Sequence, residues 1–538
     1  VLGRADDDGV ALLFEDEQWT WREVVAEART RARLFLELRQ PGPFHVGVLL
    51  ENVPEFVFVL TGAGLAGAAV VGINPTRRGA ELARDINHTD CQLIVTDASM
   101  RPLLDGLDLD VPADRIFDVD GPEYAALVAK ARDDTRVIEP PAPETLFALL
   151  FTSGSTGAPK AVRMTQGRAA RGAANVIFSP DDVLYCAMPL YHGNALNANL
   201  FPALRSGAAI ALRQKFSASG FLPDARRYNV TFFNTVGRAL NHILSTPESA
   251  DDRDHSIKYV LGPESAPADV RAFKKRFGVP VFEGYGSSEN AIMMYPDPSA
   301  PKGSLGVPME GVEVVILDPV TAEEKPRARY DEHGKLLNAS EAIGEIVSKN
   351  ATARFEGYYN NPEADAERTR NGWYWSGDLG YRDEGGVFWF AGRNADWIRV
   401  DGENFAAAPI ERILARFPGA DGIAVYAVPD SRTGDQVMAA IEMLDGATFD
   451  PVAFARFLDE QRDLGTKWAP RYVRVVDELP VGATNKLDKR PLRAARWETT
   501  DPVYWRPPRA AEYVPFTATD AATLQREFEA NDRTNLLT

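Results

Sequence analysis

A chain of 538 residues with 59 basic and 77 acidic side chains carries a formal net charge of −18. That balance argues against a general nucleic-acid binder, which needs a basic face, and the length exceeds one ordinary core, so two or more domains are expected. Two cysteines, Cys91 and Cys186, offer neither a disulfide framework nor a metal spacing and point to a reducing cytoplasm.

In chain order, residues 18–36 read as a short strand followed by an amphipathic helix. Apolar strands and helices then alternate through His45–Leu50, Glu55–Gly67, Ala69–Ile73, Arg78–His88 and Leu93–Thr96. Such alternation predicts a doubly wound parallel sheet. The longest soft stretch, Phe56–Ile73, holds four glycines and reads as a buried helix running into a strand rather than a membrane span. Leu146–Phe151 reads as a buried strand, and a second α/β alternation runs from Val183 to Glu283. From about 300 to 392 short strands with Gly and Asp turns (Val312–Leu317, Gly344–Ser348, Val387–Ala391) predict an antiparallel sheet or barrel. Beyond Arg393 follow a strand (Trp397–Val400), a helix (Pro409–Arg416), a strand (Gly422–Val428) and a helix (Pro451–Glu460), a small α+β unit. Pro and Arg enrichment over Asp501–Arg509 predicts an extended tail that docks on the body. The first residues lack a signal-peptide pattern, and Val1 is not a methionine, so a few residues are expected to precede it.

The most informative stretch is LLFTSGSTGAPKAV, residues 149–162. The predicted strand breaks into small and hydroxyl residues, Thr152, Ser153, Gly154, Ser155, Thr156 and Gly157, followed by Pro159 and Lys160. Glycines let the backbone approach an anion, and successive N–H groups can converge on phosphate oxygens. The hydroxyls add donors and Lys160 adds a point charge. It is not a Walker A loop, whose lysine follows glycine and precedes Ser or Thr. Taken alone it also fits a flexible turn. The string T-S-G-[ST]-T-G-x-P-K resembles the phosphate loop of the adenylate-forming superfamily, which includes acyl-CoA synthetases, peptide-synthetase adenylation domains and luciferases.

Further motifs resemble that family in order. In FEGYGSSEN, residues 282–290, Tyr285, Gly286, Ser288 and Glu289 match Y-G-x-T-E, with serine for threonine. The resemblance implies that Tyr285 stacks on adenine, with Glu283, Gly284 and Ser287 beside it, and that Glu289 and Thr156 hold Mg²⁺ with the phosphates. In isolation Tyr285 reads as a core aromatic and Glu289 as a solvated charge. Gly262, Pro263 and Glu264 resemble the loop flanking adenine. Asp378 in WYWSGD, by itself a turn residue, resembles the aspartate that accepts both ribose hydroxyls, and Arg393 its partner. PVGATNKLDKR, residues 480–490, resembles P-x-x-x-T-G-K-x-x-[KR] and puts Lys486 on the catalytic lysine, with Asn485 where most relatives have glycine. Lys489 competes for that assignment, but the T-x-K spacing favours Lys486. PLYHGN offers Tyr191 and His192 as acyl-pocket residues. A general-base role for His192 ranks below a wall or gate, because a carboxylate substrate is already ionised. Val236, Gly237, Gly284 and Asn290 complete the implied substrate wall, and Ser288 stands with Glu289, His192 and Lys486 among the candidates for the chemistry.

The resemblance covers essentially the whole chain. RVDGENFAAAPIE, the ending DPVYWRPPRAAEYVPFT and the segment TFFNTVGRAL resemble the fatty-acid-transport-protein subgroup, with Thr235 and Arg238 departing from it. It implies two doubly wound α/β subdomains plus a distorted β-barrel over 1–392, a hinge at 393–396, and a small mobile α+β domain over 397–538. Ala395 stands where many relatives carry Asp or Lys at the hinge, with Asp396 next; a small residue can still absorb the rotation. The implied activity is ATP- and Mg²⁺-dependent acyl-CoA synthesis through an acyl-adenylate, on a long-chain fatty acid or steroid side-chain acid, with Gly402 at the coenzyme A tunnel. The open alternatives are transfer to a carrier protein, a luciferase-like oxygenase without specific support, and a binding homologue that has lost catalysis. Expected partners are small molecules only, with no nucleic acid and no transmembrane span; peripheral membrane contact and a homodimer are left open.

Overall fold

The computed structural model describes residues 1–152, 160–173, 177–235, 237–262, 265, 267–282, 284–295, 300–301, 304–332, 336–393, 397–400, 403–432, 434–461, 464–465, 467–481, 487–508, 510–531 and 533–537. The chain divides into two compact units, Val1–Met293 with Thr352–Arg370, and Met294–Ala351 with Asn371–Thr538.

The first unit carries two mostly parallel sheets. One has the strand order Ile116–Asp118, Cys91–Thr96, His45–Leu49, Ala69–Gly72, Leu146–Thr152, Lys160–Thr165. Only its last pair is antiparallel. Its interior strands, such as His45–Leu49 and Ala69–Gly72, are buried at every residue. That is why they read as unbroken apolar runs rather than alternating ones. The crossover helix Pro54–Ala66 opens with proline at its first turn and ends at Gly67, left-handed at φ 71°. The other sheet has the order Val281–Phe282, Tyr259–Leu261, Phe232–Asn234, Val183–Cys186, Ala209–Leu212, Val10–Phe14, Glu17–Thr20. Helix Trp21–Leu38 follows its edge hairpin and starts with a capping box between Thr20 and Glu23. The parallel α/β expectation therefore holds twice in this unit, with boundaries shifted by a residue or two.

The second unit holds an antiparallel sheet of Val314–Leu317, Gly344–Ser348, Tyr374–Arg382 and Phe388–Arg393, matching the antiparallel reading of that region. Hairpin Trp397–Val400 and Glu403–Ala406 leads into helix Ala407–Leu414. A five-stranded sheet follows, Ala420–Pro429, Asp435–Met443, Tyr472–Val476, Val503–Trp505 and Val514–Pro515. The Pro- and Arg-rich tail supplies strand Val503–Trp505 of that sheet, and the residues after it supply Val514–Pro515, so it is integrated rather than merely laid across a surface. Short edge strands tolerate its prolines. No described helix is long and apolar enough to cross a membrane.

Candidate active site

Strand Leu146–Thr152 pairs antiparallel with Lys160–Thr165, with Thr152 opposite Lys160. Ser153, Gly154, Ser155, Thr156 and Gly157 join these strands but lie outside the described residues. The flanking residues are well placed to serve such a loop. Lys160 is 7 % exposed, and its ammonium meets Glu367 Oε2 at 3.2 Å and lies 5.9 Å from the centroid of the Tyr358 ring. A buried ammonium needs a counter-charge. Here the carboxylate provides it from an exposed position, the Glu367 side chain being 61 % exposed.

Tyr358 sits beside strand Lys160–Thr165 because it forms an isolated antiparallel bridge with Val162. Arg163 N donates to Gly357 O at 3.0 Å and Tyr359 N to Ala161 O at 2.8 Å, so Gly357–Tyr359 extends the sheet locally. The Tyr358 hydroxyl donates to Glu289 Oε1 at 2.6 Å and accepts from Arg368 Nε at 3.3 Å. Burial, then the nearby Glu289 charge, raises the Tyr358 hydroxyl far above its ordinary range, so it remains a donor. Glu289 itself is 6 % exposed.

Glu289 belongs to the turn Ser287–Asn290, closed by Asn290 N donating to Ser287 O at 2.9 Å. Asn290 takes φ 54°, a conformation asparagine tolerates. Arg168, buried behind the turn, donates to Ser288 O and, at 2.7 Å, to Arg163 O. The turn is thereby tied to the strand that begins with Lys160. Tyr285 and Gly286 form a two-residue strand just before it, with Gly284 preceding them.

The PLYHGN loop packs into the same unit through one close approach and one ordinary contact. A Cβ on Gly72 would lie 2.8 Å from Tyr191 O, so only glycine lets the loop cross that strand end. A Cβ on Gly193 would lie 3.5 Å from Leu150 Cδ1 and 4.0 Å from Ser288 Oγ. Gly193 therefore lies between Leu150, on strand Leu146–Thr152, and Ser288 of the Glu289 turn. Tyr191 is buried, with its ring centroid 4.6 Å from that of His192. Gly262 N donates to Phe282 O at 2.9 Å, and Ser265 Oγ donates to Gly262 O at 2.7 Å. Pro263, Glu264, Glu283 and Val236 lie outside the described residues, while Gly237 opens helix Gly237–Leu244.

In the second unit, Asp378 lies within strand Tyr374–Arg382, directly opposite Arg393 in the ladder. Gly377 takes φ 75° inside the strand, and the register shifts at Leu379/Gly380. Buried Glu345 accepts from Gly377 N at 2.7 Å, and Ser376 Oγ accepts from Asp378 N at 3.1 Å. Two residues fifteen apart in sequence thus become cross-strand neighbours. Lys489 is paired with Glu411 at 2.8 Å, and Glu411 also accepts from Val425 N at 2.8 Å. Lys489 is therefore committed to the fold. Lys486, Asn485, Gly402, Ala395 and Asp396 lie outside the described residues.

Sequence reasoning missed Tyr358, Glu367, Arg368, Arg168 and Glu345. The string GYYNNP carried no charge or spacing signal that separated it from an ordinary turn. Among the described residues no group of three or more His, Cys, Asp and Glu could hold a metal ion. Glu289 still fits a divalent cation that arrives with phosphate. Its carboxylate is buried, one oxygen is held by Tyr358, and no described residue donates to the other. Both cysteines are buried and free, and burial pushes each thiol up to about 12, so neither is a ready nucleophile.

Comparison with known proteins identifies the family. The family model described as AMP-binding enzyme matches residues 3–359, and that for the AMP-binding enzyme C-terminal domain matches residues 409–486. The chain is 53% identical over 548 residues to a steroid-22-oyl-CoA synthetase of Rhodococcus jostii (strain RHA1), covering 100% of this chain and 98% of the relative. It is 42% identical over 508 residues to a medium/long-chain-fatty-acid–CoA ligase, FadD17, of Mycobacterium marinum, covering 94% and 96%. Among solved structures, ATP-bound MatB from Rhodopseudomonas palustris superimposes with a TM-score of 0.78 over 91% of this chain and 96% of that one, at 24% identity, a likeness of fold.

Proposed function

The chain belongs to the AMP-binding enzyme family, and we propose that it activates a steroid-22-oic acid, first as acyl-adenylate and then as CoA thioester. The observation that carries this reading is the full-length similarity to the steroid-22-oyl-CoA synthetase. Similarity to the FadD17 ligases favours a linear medium- or long-chain acid as the second reading. Either way the enzyme is an AMP-forming acid–thiol ligase.

In the first step a carboxylate oxygen bonds to the α-phosphorus of ATP, the α–β anhydride breaks and pyrophosphate leaves. Two anions meet, so the site has to neutralise charge. Lys160 and Lys486, with the amides of the loop 153–157, act as preorganised electrostatic stabilisers. Asp378 and Arg393 hold the ribose, and Tyr285, Gly262 and Gly286 flank the base. Glu289 would hold a Mg²⁺ that accompanies ATP, which would supply charge neutralisation there. In the second step the thiol sulfur of coenzyme A bonds to the adenylate carbonyl, AMP leaves, and the thiol proton passes to solvent. Tyr191 and His192 line the acyl side. The two free cysteines fit a reducing cytoplasm.

The test is product analysis with ATP, CoA and a panel of acids: acetate, palmitate and a C22 steroid carboxylate. The expected products are AMP, pyrophosphate and acyl-CoA, with kcat/KM highest for the steroid acid. ADP and free phosphate would overturn adenylation. A clear preference for palmitate would replace the steroid reading with the linear-acid one.

A further inference from the structure

Glu289 is the single carboxylate the proposed reading assigns to the cation, and one carboxylate on a short turn has freedom to rotate. Tyr358 removes that freedom. Its hydroxyl donates to Glu289 Oε1 at 2.6 Å, the ordinary length for a hydroxyl on a charged carboxylate. The hydroxyl is fixed from the other side. Tyr358 is 2 % exposed, bridges to Val162, and its own N–H donates to Asp365 Oδ1 at 2.7 Å. Gly357, at φ 82°, leaves no room for a side chain there: a Cβ would come 2.9 Å from Asp365 Oδ2. Arg368 Nε donates to the same hydroxyl oxygen at 3.3 Å, which polarises the O–H toward Glu289. The tyrosine is therefore anchored by backbone and helix contacts that do not involve Glu289.

We infer that Tyr358 is a positioning residue for Glu289: by holding one carboxylate oxygen it presents the other to the divalent cation that accompanies ATP. This rests on the proposed adenylating function. The same segment brings Tyr358 within 5.9 Å of the Lys160 ammonium, so one anchored ring stands beside both charged groups that the triphosphate meets. Partners that orient metal-binding carboxylates typically change metal affinity or activity by about 10–100-fold when removed.

The experiment compares binding of MgATP with binding of ATP in EDTA by isothermal titration calorimetry, on the full chain. Tyr358→Phe keeps the ring and deletes the hydroxyl. It should weaken MgATP by about tenfold or more, leave ATP in EDTA within a factor of two, and raise the Mg²⁺ concentration for half-maximal pyrophosphate release by the same factor as MgATP binding. Arg368→Gln, which keeps the hydroxyl and withdraws the donor behind it, should shift the same ratio in the same direction by less. In a Glu289→Gln background Tyr358→Phe should add nothing to the Mg²⁺-dependent loss. Equal losses with and without Mg²⁺ in both variants, or an undiminished effect in the Glu289→Gln background, would overturn the inference while leaving adenylation standing. A parent protein that binds ATP without any Mg²⁺ dependence would sink the assignment of Glu289, and the role of Tyr358 with it.

Discussion

Lys160 illustrates what a residue-scale reading captures and what it misses. Its place after a Ser/Gly/Thr loop made it a candidate for phosphate, because the motif is carried by a contiguous stretch. Its resting partner, Glu367, lies 207 residues away and is visible only in the fold. Tyr358, Arg168 and Glu345 were hidden for the same reason, since each acts through a contact made by tertiary structure. The pair Lys160–Glu367 also predicts behaviour. A triphosphate and the Glu367 carboxylate compete for one ammonium, and the carboxylate is largely solvated. Pairs of this kind contribute about 0–1 kcal/mol, so Glu367→Gln should lower the KM for ATP by up to about fivefold. The kcat should change little, while the unliganded variant should melt somewhat lower, because the buried ammonium loses its counter-charge. Steady-state kinetics in ATP decide it, and a raised KM would show that Glu367 assists the nucleotide instead of competing with it.

At the scale of elements, legibility followed burial. Interior strands of the parallel sheets, such as His45–Leu49 and Ala69–Gly72, are buried on both faces and read as apolar runs. The strand carrying Asp378 did not, because Gly377 and Gly380 interrupt it and Gly-Asp has the composition of a turn. Helix Gly237–Leu244, which begins where the acyl wall was expected, shows how an element end is secured. Arg276 donates to Leu244 O at 3.0 Å, Thr246 O at 2.7 Å and Pro247 O at 2.8 Å, and its Nε meets Asp252 Oδ2 at 2.6 Å. Arginine and aspartate side chains are 6 % and 7 % exposed. Arg276→Ala would strand a buried carboxylate and orphan several helix-terminal carbonyls, a loss of about 3–5 kcal/mol at neutral pH. Burial alone would raise the Asp252 carboxyl, but hydrogen bonds from Arg276 and from Ser249 N outweigh it and hold it below the usual range. A carboxyl depressed in the folded state stabilises above its unfolded pKa, near 3.9, and that contribution fades as pH falls through the folded value. The stability gap between parent and variant should therefore be full at pH 7 and shrink below about pH 4. Urea unfolding of the first unit across that range measures it, and a gap that is constant with pH would assign the loss to the carbonyl contacts alone.

Considered whole, the molecule was legible as ordered motifs on an α/β frame, because doubly wound sheets impose a regular strand–helix alternation on sequence. Its division into two compact units follows a different line. The first unit takes back Thr352–Arg370 from the middle of the second, and this return supplies Tyr358, Glu367 and Arg368 beside Lys160 and Glu289. No local pattern announces such a return, which is set by the Val162–Tyr358 bridge. One consequence concerns the two half-reactions. Lys160 and Glu289 belong to the first unit, and Lys486 and Gly402 to the second unit's stretch of chain; the proposed reading gives the first pair to adenylation. Lys489 is paired with Glu411, and the proposal gives the contact with the reacting carboxylate and α-phosphate to Lys486. Lys486→Ala should then slow pyrophosphate release about a hundredfold or more, the typical cost of removing one preorganised charge stabiliser. Supplied with pre-made acyl-adenylate, the same variant should still form acyl-CoA at the parent rate. Gly402, expected where backbone passes close to pantetheine, is a position where a side chain would intrude. Gly402→Leu should spare pyrophosphate release and block thioester formation. Single-turnover assays of each half-reaction separate these outcomes, and parallel losses in both steps for both variants would show that the two residues support the fold rather than divide the chemistry between them.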